Sequence, residues 1–440
     1  MFSFKNNSIF VSTRPLKLFF LVLSLFFYLY GVNFTFLPIS TARIILVIAF
    51  CYFLLTLLFK PSIIIRRSGL LLLLIFMVFG YWVIFISIIS GFRDKAILTS
   101  VILMVIHSLM GGWFFSVLFQ EFKFDFRKVI FIIQIVITIQ AVFILIYFVS
   151  WSFREFTFAY IPETGNIDYR ENLFQSRGLT HSSGAMLSVL QSVGVLFSAY
   201  LISTVNFRSK EFFYLLFSFG LLCLSIIITG RTGLLMLPLV FIYFTLMLFL
   251  KPGIPKNITY FSFTAPLILI ASFLIFRYLY ANLLGGITTS SGEDILDRIA
   301  RWYLVEFFDE GRIQSRTFMI LSEHWFFPDN TLVLLFGDPA TWGVDRISSD
   351  IGYVRMWHGI GIIGIIFYYL LLFTVFLQMV LLSKAYPEKI MISILGIYLF
   401  FIEMKEPFMF NISVNAFFIL IFVYLIMSNT NQKSTTGSTI

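Results

Sequence analysis

The stretch VIFIIQIVITIQAVFILIYFVS, residues 129–150, decides the fold. It contains no charged residue. Wound as an α-helix at 1.5 Å per residue it reaches about 33 Å, the thickness of bilayer hydrocarbon. Lys123, Arg127 and Lys128 stand just before it, and a polar stretch beginning at Trp151 follows. No alternation of polar and apolar positions runs through it, so a β-barrel strand is excluded. A backbone in lipid must satisfy its own hydrogen bonds, and here only a helix does so.

The same pattern recurs outward in both directions. Apolar spans are predicted near 16–32, 43–59, 69–90, 96–119, 129–150, 182–205, 212–229, 233–250, 258–280, 359–382, 390–410 and 411–428. The fold class is therefore all-α. The expectation is a polytopic integral membrane helical bundle of about 12 transmembrane helices, one integral membrane domain over 1–440. Only two polar stretches exceed a short turn, Trp151–His181 and Ala281–His358, giving loops at 151–181 and 281–358. Within the second, Ser291-Gly292-Glu293-Asp294 is a capped helix start, and Ile295, Ile299, Trp302 and Leu304 form an apolar face. A further amphipathic stretch runs from Ile313 to Trp325 and breaks at Pro328. Both read as short helices, either on the outer membrane surface or packed above it.

Composition agrees. Hydrophobic residues make up 59% of the chain, charged residues 12%, and the mean hydropathy is +0.95. A water-facing surface of ordinary size cannot be built from so few charges. The net charge of +9 is dispersed over short loops and reads as orientation signal, with no nucleic acid as partner. If the N-terminus is cytoplasmic, sixteen of the 31 basic residues fall in short inner segments beside only four acids, Glu121, Asp125, Glu211 and Glu388. Positive-inside bias then sets both termini in the cytoplasm and both polar loops outside. The start of the chain looks like a signal peptide, but no small-residue cleavage site precedes Asn33, so it is expected to be an uncleaved first helix. Cys51 and Cys223 each sit in a span and read as packing residues, not as a disulfide or zinc pair.

Soluble-enzyme motifs are missing. There is no Gly-rich phosphate loop, no His-Glu-x-x-His and no Asp-x-Asp, so metal-dependent use of a nucleotide-sugar is disfavoured and no metal or other cofactor is expected. Arginine recurs instead at outer span ends. Arg177 and His181 precede the sixth span, Arg231 sits in the joint Thr229-Gly230-Arg231-Thr232-Gly233, and Arg277 lies in the last turn of the ninth span. Arg312 and Arg316 follow Gly311, and Arg355 stands just outside the tenth span. A planar guanidinium donates two parallel bonds to phosphate, so several at one face suit a lipid-linked pyrophosphate. The competing explanation is snorkelling to lipid headgroups. Arg231 departs furthest from it, because its tight joint holds the side chain near membrane depth.

Two further clusters stand out. In Ser349-Asp350-Ile351-Gly352-Tyr353-Val354-Arg355, Asp350 either caps a helix or takes a proton as general base, with Tyr353 beside it. Gly361 and Gly364 then permit close helix approach. Glu403-Met404-Lys405-Glu406-Pro407 places three charges in an apolar stretch, facing the bundle interior or its outer mouth, either as a structural ion pair or with Glu403 and Lys405 binding substrate. His107 reads as packing and His324 as a surface residue.

In these residues the chain resembles the Wzy-type O-antigen and polysaccharide repeat-unit polymerases and, more distantly, the O-antigen ligases. The likeness lies in an ordered set: Arg177-Gly178-Leu179 before a span, Thr-Gly-Arg231-Thr-Gly-Leu, an outer loop closing with Leu-Phe-Gly337, Ser-Asp350-x-Gly-Tyr-x-Arg355 with Gly361-x-x-Gly364, and Glu403-x-Lys405-Glu406-Pro407. The resemblance implies an inverting, metal-independent glycosyltransferase in the bacterial inner membrane. It would join undecaprenyl-pyrophosphate-linked oligosaccharide repeat units on the periplasmic face, with a chain-length regulator and a flippase as partners. Its arginines would stabilise the departing pyrophosphate. The related ligases carry His followed by Asn where this chain has Asp350, which favours a polymerase. That departure leaves Asp350, His358 and His181 as candidates for the base. A ligase using a lipid A-core acceptor, or a lipid-linked oligosaccharide flippase or transporter, are the alternatives. Transporters of common folds show repeat symmetry and broken helices at the midplane; no symmetry is visible in this sequence, and its charges concentrate at the outer mouth.

Overall fold

The computed structural model describes residues 15–59, 67–161, 176–180, 184–206, 209–250, 256–284, 323–343, 345, 347, 349 and 351–436. Among these residues there is no β-strand. The helices are α1 (Pro15–Tyr30), α2 (Thr41–Phe59), α3 (Arg67–Ile89), α4 (Ala96–Ile106), α5 (Gly112–Glu121), α6 (Phe126–Val149), α7 (Trp151–Tyr160), α8 (Ala185–Thr204), α9 (Lys210–Thr229), α10 (Met236–Leu250) and α11 (Lys256–Leu284). Within the second long polar stretch lies α12 (Thr331–Phe336), followed by α13 (Gly352–Leu382), α14 (Tyr386–Ile402) and α15 (Ile412–Thr436). Among the described residues nine helical segments are long and apolar enough to cross a membrane: α2, α3, α4–α5, α6, α8, α9, α10, α11 and α13. Helix also occupies the predicted stretches at 16–32, 390–410 and 411–428, in pieces that are shorter or less apolar.

The bundle is apolar on both sides of its wall. Helix α8 runs through the centre, with every residue from Leu187 to Ser203 buried. Gly194 lets it approach its neighbours, since a Cβ there would stand 2.8 Å from Ile137 Cγ2 and 3.2 Å from Leu222. Some of the polar side chains inside pair with one another. Gln134 Nε2 donates to Ser198 Oγ (2.6 Å) and Ser218 Oγ (2.8 Å). On the outside, α3 exposes Leu70, Leu74, Met77, Tyr81, Phe85 and Ile88, one helix stripe at three- and four-residue spacing. A stripe of that size would drive aggregation in water and is ordinary against lipid. Cys51 is exposed on α2, Cys223 is buried, and both are free.

Four features depart from the sequence expectations. The polar stretch after Val149 begins as helix α7, because Arg154 turns inward and caps α6, donating from Nε to the Tyr147 carbonyl (2.7 Å) and from Nη2 to the Phe148 carbonyl. Helix α13 begins at Gly352, ahead of the expected 359, and breaks at Gly361 (φ 67°, ψ 173°). The span expected at 390–410 ends at Ile402, so Glu403–Asn411 form a loop with a 3-10 turn at Phe408–Phe410. A π-turn, His107–Gly111, joins α4 to α5 and buries His107, whose carbonyl accepts a bond from Tyr28 Oη (2.5 Å). The amphipathic segments expected at 295–304 and through most of 313–325 lie outside the described residues.

The break in α13 is filled by the end of α12 and the glycine that follows it. A Cβ on Gly361 would collide with the Leu335 carbonyl and lie 2.5 Å from Gly337 N. One on Gly337 (φ 83°) would lie 2.5 Å from Gly361 N. Two left-handed glycines thus meet backbone to backbone, which only glycine permits. Carbonyls freed by the break find other donors: Trp82 Nε1 bonds to the Ile360 carbonyl (3.0 Å) and Asp338 N to the His358 carbonyl (2.6 Å). Gly364 serves the close approach expected of it, against Trp82.

Candidate functional site

One end of the bundle collects the N-terminus of α13, the C-terminus of α14, the α9–α10 joint and the start of α8. The C-termini of α6 and α11 lie there too, with Phe148 and Phe276 rings 5.8 Å apart. The described helix ends that flank both long polar stretches therefore share one end of the molecule.

The joint Thr229-Gly230-Arg231-Thr232-Gly233 shows why its residues are small. Arg231–Leu235 is a 3-10 turn laid flat on the first turn of α8. A Cβ on Gly230 would stand 3.2 Å from Gly184 C, and one on Gly233 2.5 Å from the Ser188 carbonyl oxygen. Gly233 N donates to Ser188 Oγ (3.1 Å). Two glycines and one hydroxyl pin the backbone on either side of Arg231. Its neighbour Thr232 is buried, and Thr232 Oγ1 accepts a bond from Lys405 Nζ at 3.0 Å.

Lys405 is carried by the loop after α14, which Glu403 organises. Glu403 is fully buried, and its Oε1 accepts the Met409 amide (2.6 Å). Asn415 supports the same turn by donating to the Met409 carbonyl (3.3 Å). Oε2 of Glu403 has no hydrogen-bond partner among the described residues. The loop lies outside the spanning helices, yet burial raises this carboxyl to about 8, partly offset by the Met409 bond. Burial thus favours the protonated form of Glu403, which has no ion-pair partner among the described residues.

The start of α13 is jammed beneath this loop. A Cβ on Gly352 would collide with the Glu403 carbonyl and stand 2.6 Å from Glu406 C and 2.8 Å from Pro407 N. Tyr353 Oη donates to the Phe400 carbonyl (2.8 Å), tying α13 to the end of α14. Arg355 lies with its guanidinium carbon 5.1 Å from the Trp342 ring centroid, and Trp342 packs on Phe410 at 5.0 Å. His358 is buried, edge-on to Phe326 at 5.3 Å, and its Nε2 has no hydrogen-bond partner among the described residues. Ile351 occupies the N-cap of α13 without a side-chain cap bond, while Ser349 Oγ accepts the Ile351 amide (3.1 Å). The capping position is thus one residue beyond Asp350.

Arg177 is fully buried at the corner of α6, α7 and α8. It donates from Nη2 to the Ile161 carbonyl (3.1 Å), and its guanidinium lies 5.1 Å from the Phe158 ring centroid. Gln140 Nε2 bonds back to the Arg177 carbonyl (3.0 Å). Asp350, His181, Arg312 and Arg316 lie outside the described residues, as do the side chains of Arg231 and Arg277. The structure thus draws Tyr353, Glu403, Lys405 and the Arg231 turn into one contact set, with Arg355 and His358 along the same first turns of α13. Arg177 stands at a neighbouring corner. Thr232 and Trp342 are the residues that sequence reasoning passed over. A hydroxyl between two turn glycines beside Arg231 was the available signal for the first. Among the described residues no three His, Cys, Asp or Glu side chains gather as a metal-binding group. No family model, curated protein or solved structure matches the chain.

Proposed function

We propose that the chain is a twelve-span bacterial inner-membrane protein acting as an O-antigen polymerase. It would be an inverting, metal-independent glycosyltransferase that joins undecaprenyl-pyrophosphate-linked repeat units on the periplasmic face. The observation that carries this reading is the bond between Lys405 and Thr232. It joins the late Glu403-x-Lys405-Glu406-Pro407 motif to the Thr-Gly-Arg231-Thr-Gly turn, so two chain segments 174 residues apart in sequence (231 and 405) meet at one end of an apolar bundle.

Arg231 and Lys405, one on each segment, suit a leaving group with two phosphates. In the proposed step an acceptor hydroxyl oxygen attacks the anomeric carbon opposite its bond to pyrophosphate. The new C–O bond forms, the old one breaks, and undecaprenyl pyrophosphate leaves with the electron pair. Arg231 and Lys405 neutralise the charge that develops on it, an effect strongest where water is scarce. Asp350 or His358 takes the hydroxyl proton. Arg277, Arg312, Arg316, Tyr353 and Arg355 bind the glycan and pyrophosphate around this centre, while the fully buried Arg177 holds the neighbouring corner through the Ile161 carbonyl. Glu403 acts through the loop it holds, as a positioning residue for Lys405.

The polymerase and ligase readings separate on acceptor use. The purified protein is given one lipid-linked repeat unit and no lipid A-core acceptor. Oligomers still attached to the undecaprenyl carrier are the polymerase product; glycan transfer only after lipid A-core is added would identify a ligase.

A further inference from the structure

A second polar feature lies at the opposite end of the bundle. A cavity of about 380 Å³ opens where the α5–α6 joint, the α13–α14 joint and the last turns of α15 meet. Lys123 and Lys384 line it together with Asp125 and Glu388, so its formal charges cancel. Leu382, Phe126 and Leu425 supply an apolar wall. These are the ends of helices whose other ends carry Tyr353 and Glu403, so the cavity has no part in the site described above.

Its carboxylates are fixed by the helices they start. Asp125 Oδ1 accepts the Lys128 amide (2.9 Å), and Glu388 Oε2 accepts the Lys384 and Ala385 amides (3.2 Å each). Lys123 is the informative residue. It closes α5 in a Schellman turn, with Phe124 N bonded to the Phe119 carbonyl (2.9 Å) and Lys123 N to the Gln120 carbonyl (2.8 Å). The residue in that place takes a left-handed conformation, here φ 54°, for which glycine is the unstrained choice. A lysine there bears a conformational cost with no backbone reason, so its side chain is what the position keeps.

We propose that this cavity binds the headgroup of an ethanolamine phospholipid. The chemistry recognised is a phosphodiester joined to a primary ammonium. Lys123 and Lys384 face the phosphate, while Asp125 and Glu388 face the ammonium. The anionic phosphatidylglycerol headgroup would bring the two carboxylates only neutral hydroxyls and no cation, and a trimethylated one would have no N–H to donate. The apolar wall selects the lipid over the free headgroup, because acyl chains leaving the cavity lie against helices that are already apolar.

The test uses full-length protein, purified in detergent and stripped of lipid, titrated with short-chain lipids and followed by native mass spectrometry. Phosphatidylethanolamine is expected to bind about tenfold more tightly than phosphatidylglycerol or phosphatidylcholine, the discrimination that one satisfied charged pair supplies. Lys123→Gly relieves the left-handed strain, so it is expected to melt no lower than the wild type while losing about tenfold in phosphatidylethanolamine affinity. Lys384→Gln is expected to lose affinity similarly. The proposal is overturned if phosphatidylglycerol binds as tightly as phosphatidylethanolamine, or if Lys123→Gly keeps its affinity. Equal binding of water-soluble glycerophosphoethanolamine would overturn the assignment to a lipid.

Discussion

Lys405 Nζ and Thr232 Oγ1 meet at 3.0 Å although 173 residues separate them. The bond fastens the loop after α14, which carries Lys405, to the turn whose backbone carries Arg231. Thr232→Val removes the acceptor and keeps the shape. A hydrogen bond to a charged group is worth about 1.5–3 kcal/mol. The variant is expected to accumulate normally and to make polymer about ten- to a hundredfold more slowly. Initial rates on lipid-linked repeat units check this; an unchanged rate would show that the bond does not position Lys405.

Arg231→Lys probes the turn itself. The glycines and Ser188 hold the backbone whichever side chain is present, so the protein should fold and reach the membrane. An ammonium cannot reproduce the two parallel bonds of a guanidinium. Most polymer should therefore be lost, as read on a gel of glycan from a strain complemented with the variant. Near-normal polymer would reduce Arg231 to a headgroup anchor.

Glu403 gives stability a pH dependence of defined sign. Its carboxyl is raised from the ordinary 4.5 to about 8 by burial. Between these values the folded protein holds a proton that the unfolded chain has released, so this group's contribution to stability falls as pH rises through that window. It is fully present below about 4.5 and levels off above about 8. Glu403→Gln keeps an acceptor for the Met409 amide and cannot ionise. Its melting temperature should exceed that of the wild type at pH 8–9, with the gap closing towards pH 5. Parallel melting curves of the two proteins across that range would contradict the burial account.

Gly361→Ala tests the break in α13. The added methyl would enter space held by the Leu335 carbonyl and Gly337 N, at a φ of 67° that L-residues rarely adopt. A cost of about 3 kcal/mol or more is expected from strain and overpacking together. Gly364→Ala should also destabilise, since its Cβ would press on Trp82 Nε1 at 2.5 Å. Melting temperatures in detergent measure both; an unperturbed Gly361→Ala protein would mean that the α12 end and the break are not mutually fitted.

The long apolar runs were legible because hydrocarbon thickness imposes a length on any span, and nine of them are helices long and apolar enough to cross a membrane among the described residues. The end of α14 was not, because Glu403 is tolerated in an apolar setting where burial favours its protonated form and Met409 bonds to it, a tertiary arrangement that hydropathy averages away. Gly361 was legible as a small residue but not as a break, since its partner Gly337 lies in another segment. The Arg231 turn was visible from its two glycines; its contact with Lys405 was not, because nothing local in either motif refers to the other. Arg177 looked like an outward-facing cation and is buried, because Phe158 and the Ile161 carbonyl come from the helix hidden in the preceding polar stretch.

The direct test of the central claim is a reconstitution. Purified protein is incubated with synthetic undecaprenyl-pyrophosphate repeat units in excess EDTA, with no nucleotide-sugar, and products are resolved by length. The account predicts a ladder of carrier-linked oligomers that increment by one repeat unit, with inverted configuration at each new linkage. A folded protein that yields no ladder, or one that needs a divalent metal or a nucleotide-sugar to yield it, would contradict the claim.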